Sequence, residues 1–190
     1  MIYTKIPYTL PQDIFKLYDA NTNIHMLAGE STTPHELINM ALSREYYSDA
    51  VTFLAHALPV RESVWWATMC AITRSDWNTT EMKAISAARA WVYAPNETAR
   101  RYAEKLAKDA QLHSGAGWVA QAVFWSSGSM TAPEDPSVSP PQFLYAHAVA
   151  GSINLSAVLP DGEHAIPRYK NFLKIGLNIA HGGNGSLSGK

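Results

Sequence analysis

The chain has 190 residues, 47% of them hydrophobic and 16% charged, with a formal net charge of −1. That length supports one substantial core and is short for two domains, and a near-neutral balance supplies no global field to draw nucleic acid or an anionic membrane. A lone cysteine, Cys70, excludes an intrachain disulfide, which fits a reducing compartment; with no basic start leading into an apolar run and no apolar stretch of about 20 residues, a cytoplasmic protein without membrane insertion is expected.

In chain order, residues 1–10 read as extended and aromatic-rich. Pro11 opens a short helix to Tyr18 with Ile14, Phe15 and Tyr18 inward, and 20–32 reads as a connection. Thr33-Pro34-His35-Glu36 is a helix start: Thr33 caps, Pro34 takes the first position and Glu36 reaches back. Ser43 is placed as the cap of a helix through Leu58, whose Tyr47, Ala50, Val51, Leu54, Ala57 and Leu58 recur at helical steps. Pro59 then begins a helix to Arg74 that carries Trp65 and Trp66 and no charge from Val64 to Ile72. A helix apolar on nearly every side belongs among other helices, so this one is expected to be the central post of the fold, with both indoles enclosed as scaffold and Cys70 a small buried hydrophobe.

Asn78 and Glu81 repeat the cap-plus-acid signature before a helix at 79–93, which sets Met82, Ile85, Ala88 or Arg89, and Val92 along one side. The helix at 96–112 is strongly amphipathic: Ala99, Tyr102, Ala103, Leu106 and Ala110 form its stripe. Its Glu97–Arg101 and Glu104–Lys108 pairs have the favoured order and read as a solvated face. Gly115-Ala-Gly117 reads as a break before Trp118 to Trp125. A Pro-rich loop follows at about 127–140, then a buried helix at 142–159, in which Ala148, Gly151 and Ser152 permit close contact, and a last helix at 166–179. The expectation is an all-α fold: a compact bundle of seven to nine helices in antiparallel hairpins, one domain over 1–181, with a flexible Gly/Ser-rich tail over 182–190.

No P-loop, dinucleotide turn, Gly-x-Ser-x-Gly or His-Glu-x-x-His motif occurs. No two of the seven histidines stand three or four apart, so no metal site is expected, and no cofactor is implied. The candidate polar cluster is His56, Arg61, Glu62 and Arg89. Glu62 favours the first turn of its helix, and Arg89, if buried among alanines, needs a carboxylate such as Glu62. His147 reads as a hydrogen-bonded core residue. No catalytic trio can be assembled, so the reading leans away from an enzyme. Between Asp109 and Asp161 only Glu134 and Asp135 are charged. Interface centres are depleted of charge and rich in aromatic residues and Met. Trp77, Trp118, Trp125, Met130, Phe143 and Tyr145 are therefore the candidate interaction surface, with burial inside the bundle as the competing explanation.

His56-Ala-Leu-Pro-Val-Arg-Glu-Ser-Val-Trp-Trp-Ala67 resembles the signature of an uncharacterised bacterial family of about this length, with Trp-Trp-Ala after an Arg-Glu turn. The resemblance extends to Ala-Arg-Ala-Trp91 and Gly-Trp118. Members are often encoded beside type VI secretion components, which implies an adaptor or chaperone and supplies no active-site residues. The expected function is a non-enzymatic protein–protein interaction or accessory protein with a protein partner. The alternatives are a small-molecule binder or enzyme with a pocket between helices, and an immunity protein.

Overall fold

The computed structural model describes residues 3–186. They form ten helices and no strand: α1 Pro11–Phe15, α2 Thr22–His25, α3 Pro34–Ser43, α4 Tyr47–Ala57, α5 Val60–Ile72, α6 Thr79–Tyr93, α7 Glu97–Ala110, α8 Gly115–Phe124, α9 Leu144–Val158 and α10 Ala165–Ala180. The all-α bundle is as expected, with one helix more than the expected range because α2 lies in the segment read as a connection. Asn21 caps it by accepting from the Asn23 N–H.

Both predicted capping boxes form, at Thr33–Glu36 and at Asn78–Glu81. Ser43 is not a cap. It ends α3 with its hydroxyl on Met40 O, and Glu45, at φ 60°, turns the chain before α4. Pro59 sits one residue earlier than expected, at the N-cap of α5.

Helix α5 is the central post: it packs on α4, α6, α8, α9 and α10. Trp66 is fully buried, and its Nε1–H donates to Phe172 O at 2.7 Å. Gly176 makes that approach possible, because a Cβ there would fall 2.6 Å from the indole and 2.8 Å from Leu54. Cys70 is buried in the same layer, and burial pushes its thiol pKa well above the usual value, as suits a packing residue.

Gly115-Ala-Gly117 is not a break but the first turn of α8. A side chain at 115 would collide with Ser156 Oγ and the Ser152 carbonyl, and Ser152 Oγ donates to Gly115 O at 2.7 Å. The glycine there serves close helix contact, the role expected of small residues on α9. The low charge of the two helices within 110–160 follows from position: most of α8 and one whole side of α9 are buried. The terminal carbonyls of α9 are closed by arginines, Arg74 on Ser156 O at 2.7 Å and Arg168 on Leu159 O at 2.5 Å, which satisfies acceptors that a helix end leaves open.

The polar side of α7 is not simply a solvated face. Arg100 is 1% exposed. It donates to both Glu97 oxygens at 2.6 and 2.7 Å, to Phe124 O at 2.7 Å and to Ser129 O at 3.0 Å, while Arg101 reaches Thr131 O at 2.7 Å. The two arginines thereby fasten the start of the Pro-rich segment to the bundle. The expected tail is also anchored at its start. Trp65 Nε1–H donates to Asn184 O at 2.9 Å, and Gly185 N–H to Asn178 Oδ1 at 2.8 Å. Residues 187–190 of that tail lie outside the described residues.

Candidate binding cleft

The N-terminal turn of α5 meets the C-terminal turn of α6 and the end of α10 around a cleft of about 280 Å³. Lys5, Arg61, Glu62, Trp65, Val92, Tyr93, Ile179 and residues 182–184 line it. The backbone explains the convergence. Lys5 is brought to α10 by its N–H donating to Ala180 O at 3.0 Å, and Arg61 Nε–H donates to Val92 O at 2.7 Å, closing an acceptor at the end of α6. Lys5 Nζ pairs with Glu62 Oε1 at 3.3 Å. Trp65 is not enclosed as Trp66 is: past the first turn of α5 its ring reaches the cleft, half-buried and held by Asn184. Tyr93 is 64% exposed, with its ring centroid 5.6 Å from that of Trp65 in an edge-on arrangement. The Arg89 guanidinium lies 6.0 Å from the Tyr93 ring.

The four predicted polar residues are thus divided. Arg61 and Glu62 share the cleft, and Arg89 stands beside it on Tyr93. The Glu62–Arg89 pair does not form, since Glu62 takes Lys5 and Arg89 is exposed. His56 lies elsewhere, buried and stacked on Tyr18 at 4.3 Å, with the edge of His147 at 4.6 Å. Burial lowers its pKa to about 4. The ring is neutral near pH 7, with Nδ1 at 2.8 Å from Thr52 O, so Nδ1 carries the proton. His147 is exposed, not in the core.

All six residues of the predicted interaction surface are half-buried. Trp118 and Trp125 pack on each other at 6.1 Å, as do Phe143 and Tyr145 at 6.2 Å. The polar atoms of three are engaged internally: Trp77 Nε1–H on Ala71 O, Trp118 Nε1–H on Leu112 O and the Tyr145 hydroxyl on Leu58 O. Met130 is tied into the Pro-rich segment by its N–H on Val138 O.

Three of the exposed large apolar side chains, Met82, Tyr93 and Tyr102, lie on α6 and α7. Met82 and Tyr102, expected in inward stripes, are 50% and 55% exposed. They border a groove between α6 and α7 with Ser86, Ala87 and Ala90, and a second groove beyond Tyr102 is lined by Lys83, Lys105 and Asp109. On α6, residues 82, 86, 89 and 93 follow steps of three and four and so share one side. At 1.5 Å per residue, Met82 and Tyr93 are roughly 16 Å apart along the axis. One face, about three turns long, joins the groove to the cleft. The sequence signal was this second stripe, roughly a third of a turn round the helix from the buried Ala84, Ile85, Ala88 and Val92. A further cavity of about 220 Å³ near Tyr3, Tyr8, Pro34 and His35 has no Asp, Glu, Lys or Arg in its lining among the described residues.

These features define an all-α bundle with an exposed Met/Tyr groove running into a cationic, aromatic-walled cleft. The chain belongs to the family of unknown function DUF6931, whose profile matches residues 37–180. That span holds Arg61, Trp65, Trp66 and Tyr93 and leaves out Lys5. No curated protein and no solved structure matches the chain. No helix among the described residues is long and apolar enough to cross a membrane.

Proposed function

We propose that this chain is a non-enzymatic interaction protein whose outer α6–α7 face receives an acidic amphipathic helix from a protein partner. The observation that carries the reading is the half-exposure of Met82 and Tyr102 beside Lys83 and Lys105, which make no ion pair among the described residues and outnumber Asp109, the one carboxylate described in that groove. A helix laid in such a groove buries an apolar stripe, and complementary charge along its edges sets orientation and speeds encounter. The role of adaptor or chaperone beside a type VI secretion apparatus, which the Trp-Trp-Ala resemblance implies, is the finer form of this proposal.

The test uses a synthetic helix with leucine on one face and glutamate along its edges, titrated into protein carrying ¹³C-methyl methionine. The Met82 methyl resonance should shift while that of Met26, which is 73% exposed, stays in place. Met82→Glu should weaken binding by at least about tenfold, some 1.4 kcal/mol. An unshifted Met82, or equal binding of the peptide with lysine in place of glutamate, overturns the reading.

A further inference from the structure

We propose that the cleft at the Tyr93 end of this face is a carboxylate subsite, with Arg61 as the residue that takes the carboxylate and Trp65 and Tyr93 as its apolar walls. The inference rests on the docking reading above and names what the acidic partner places there: the side chain of a glutamate or aspartate.

The Arg61 guanidinium is only partly satisfied within the described chain. Only its Nε–H has a partner among the described residues, Val92 O at 2.7 Å. That bond fixes the plane of the group and leaves the terminal nitrogens as donors. Among the described residues, the one carboxylate in the lining, Glu62, pairs with Lys5, so Lys5 and Arg61 set two cations against one acid there. An arginine with two terminal N–H groups available binds a carboxylate through parallel hydrogen bonds, and such charge-assisted pairs are the strong ones. The walls are preorganised too. Trp65 is held by Asn184 O at 2.9 Å, and Tyr93 stands edge-on to it. Size limits the occupant. About 280 Å³ is just below the range of roughly 300–1,000 Å³ common for ligand pockets, which suits a side chain better than a cofactor. Arg89 beyond Tyr93 adds a further cation to the approach.

The experiment separates this subsite from the groove. Trp65 is followed through its ¹⁵N indole resonance, assigned with Trp65→Phe, and Met82 through its methyl. Two acidic helices are compared that differ by Glu→Gln at the position facing the cleft. The expected result is at least a tenfold preference for glutamate, a preference that vanishes in Arg61→Gln and is partly kept in Arg61→Lys, because lysine retains charge and loses the fork. The Met82 shift should persist in both variants. Phenylacetate, carrying the same chemistry without a peptide, should move the Trp65 resonance in the wild type and not in Arg61→Gln. Equal binding of the Glu and Gln helices with Met82 still shifting overturns the subsite and leaves the groove standing. An Arg61-dependent phenylacetate response with no Met82 shift by either helix keeps the anion site and overturns the peptide as its occupant.

Discussion

The guanidinium groups of Arg100 and Arg61 each end on a carbonyl at the close of a neighbouring helix, Phe124 O for Arg100 and Val92 O for Arg61, both at 2.7 Å. From there they diverge. Arg100 is buried, doubly bonded to Glu97 and also bonded to Ser129 O, so it has little capacity left for another molecule. Arg61 is exposed, and its terminal nitrogens have no partner among the described residues. The adjacent indoles repeat the contrast: Trp66 is sealed against α10, whereas Trp65 borders the cleft. A residue type therefore does not distinguish scaffold from recognition. The number of its donors and faces already satisfied within the chain does.

Substitutions can break this contrast. Trp66→Ala is the largest, since it removes a fully buried indole and should cost about 3–5 kcal/mol in urea unfolding; Trp65→Ala should cost less than half as much. A reversed order would place the scaffold on the wrong ring. Next comes Arg100→Ala. It leaves the carbonyls of Phe124 and Ser129 without their donor, at roughly 2–3 kcal/mol, because Glu97 can turn to water. Arg61→Ala removes one hydrogen bond at the surface and should cost under about 1 kcal/mol. Equal losses from the two arginines would erase the distinction drawn between them.

The smallest expected effect is on pH dependence. Hydrogen bonds from Arg100, and then Arg101, hold the Glu97 pKa down to about 2, against an ordinary 4.5. A depressed carboxylate stabilises the fold above its unfolded value, and that contribution is lost as pH falls from about 4.5 towards 2. Glu97 is largely exposed, 61% by side chain, so solvent reduces the effect. Melting temperature against pH should show a shallower acid limb for Glu97→Gln in that window only. An unchanged limb would mean that the Arg100 site is not electrostatically coupled to folding.

Much of the scaffold was legible because its signals are local. A threonine or asparagine three residues before a glutamate, with donors at fixed offsets, writes a capping box into the sequence, and both formed. The run from Val64 to Ile72 carries no charge, so α5 had to be enclosed. Gly115 misled because glycine weakens a helix when only backbone entropy is counted; the benefit, close approach to Ser152 and Ser156, lies 37 and 41 positions away. Met82 and Tyr102 misled for a related reason. Periodicity says which side of a helix is apolar, but not where the neighbouring helix stops covering it.

The candidate site was legible only in part. Arg61 and Glu62 stood out as the first-turn charges of an apolar helix, and both do line the cleft. His56 joined that group through nearness in sequence, yet a ring at the end of α4 turns towards Tyr18 and His147 instead. Lys5 and Asn184 could not be found by spacing, because they reach the cleft from opposite ends of the chain.

The sequence by itself determined the helical class, most of the helices, the two capping boxes and the burial of Trp66, though not the partial exposure of Trp65, since hydrophobic period and capping chemistry act within a few residues. Tertiary structure alone decided which arginines are saturated, which apolar side chains remain uncovered and that Lys5, Arg61 and Tyr93 share one cleft. Those outcomes depend on distances between segments far apart in the chain, and packing sets such distances only once the whole core has closed.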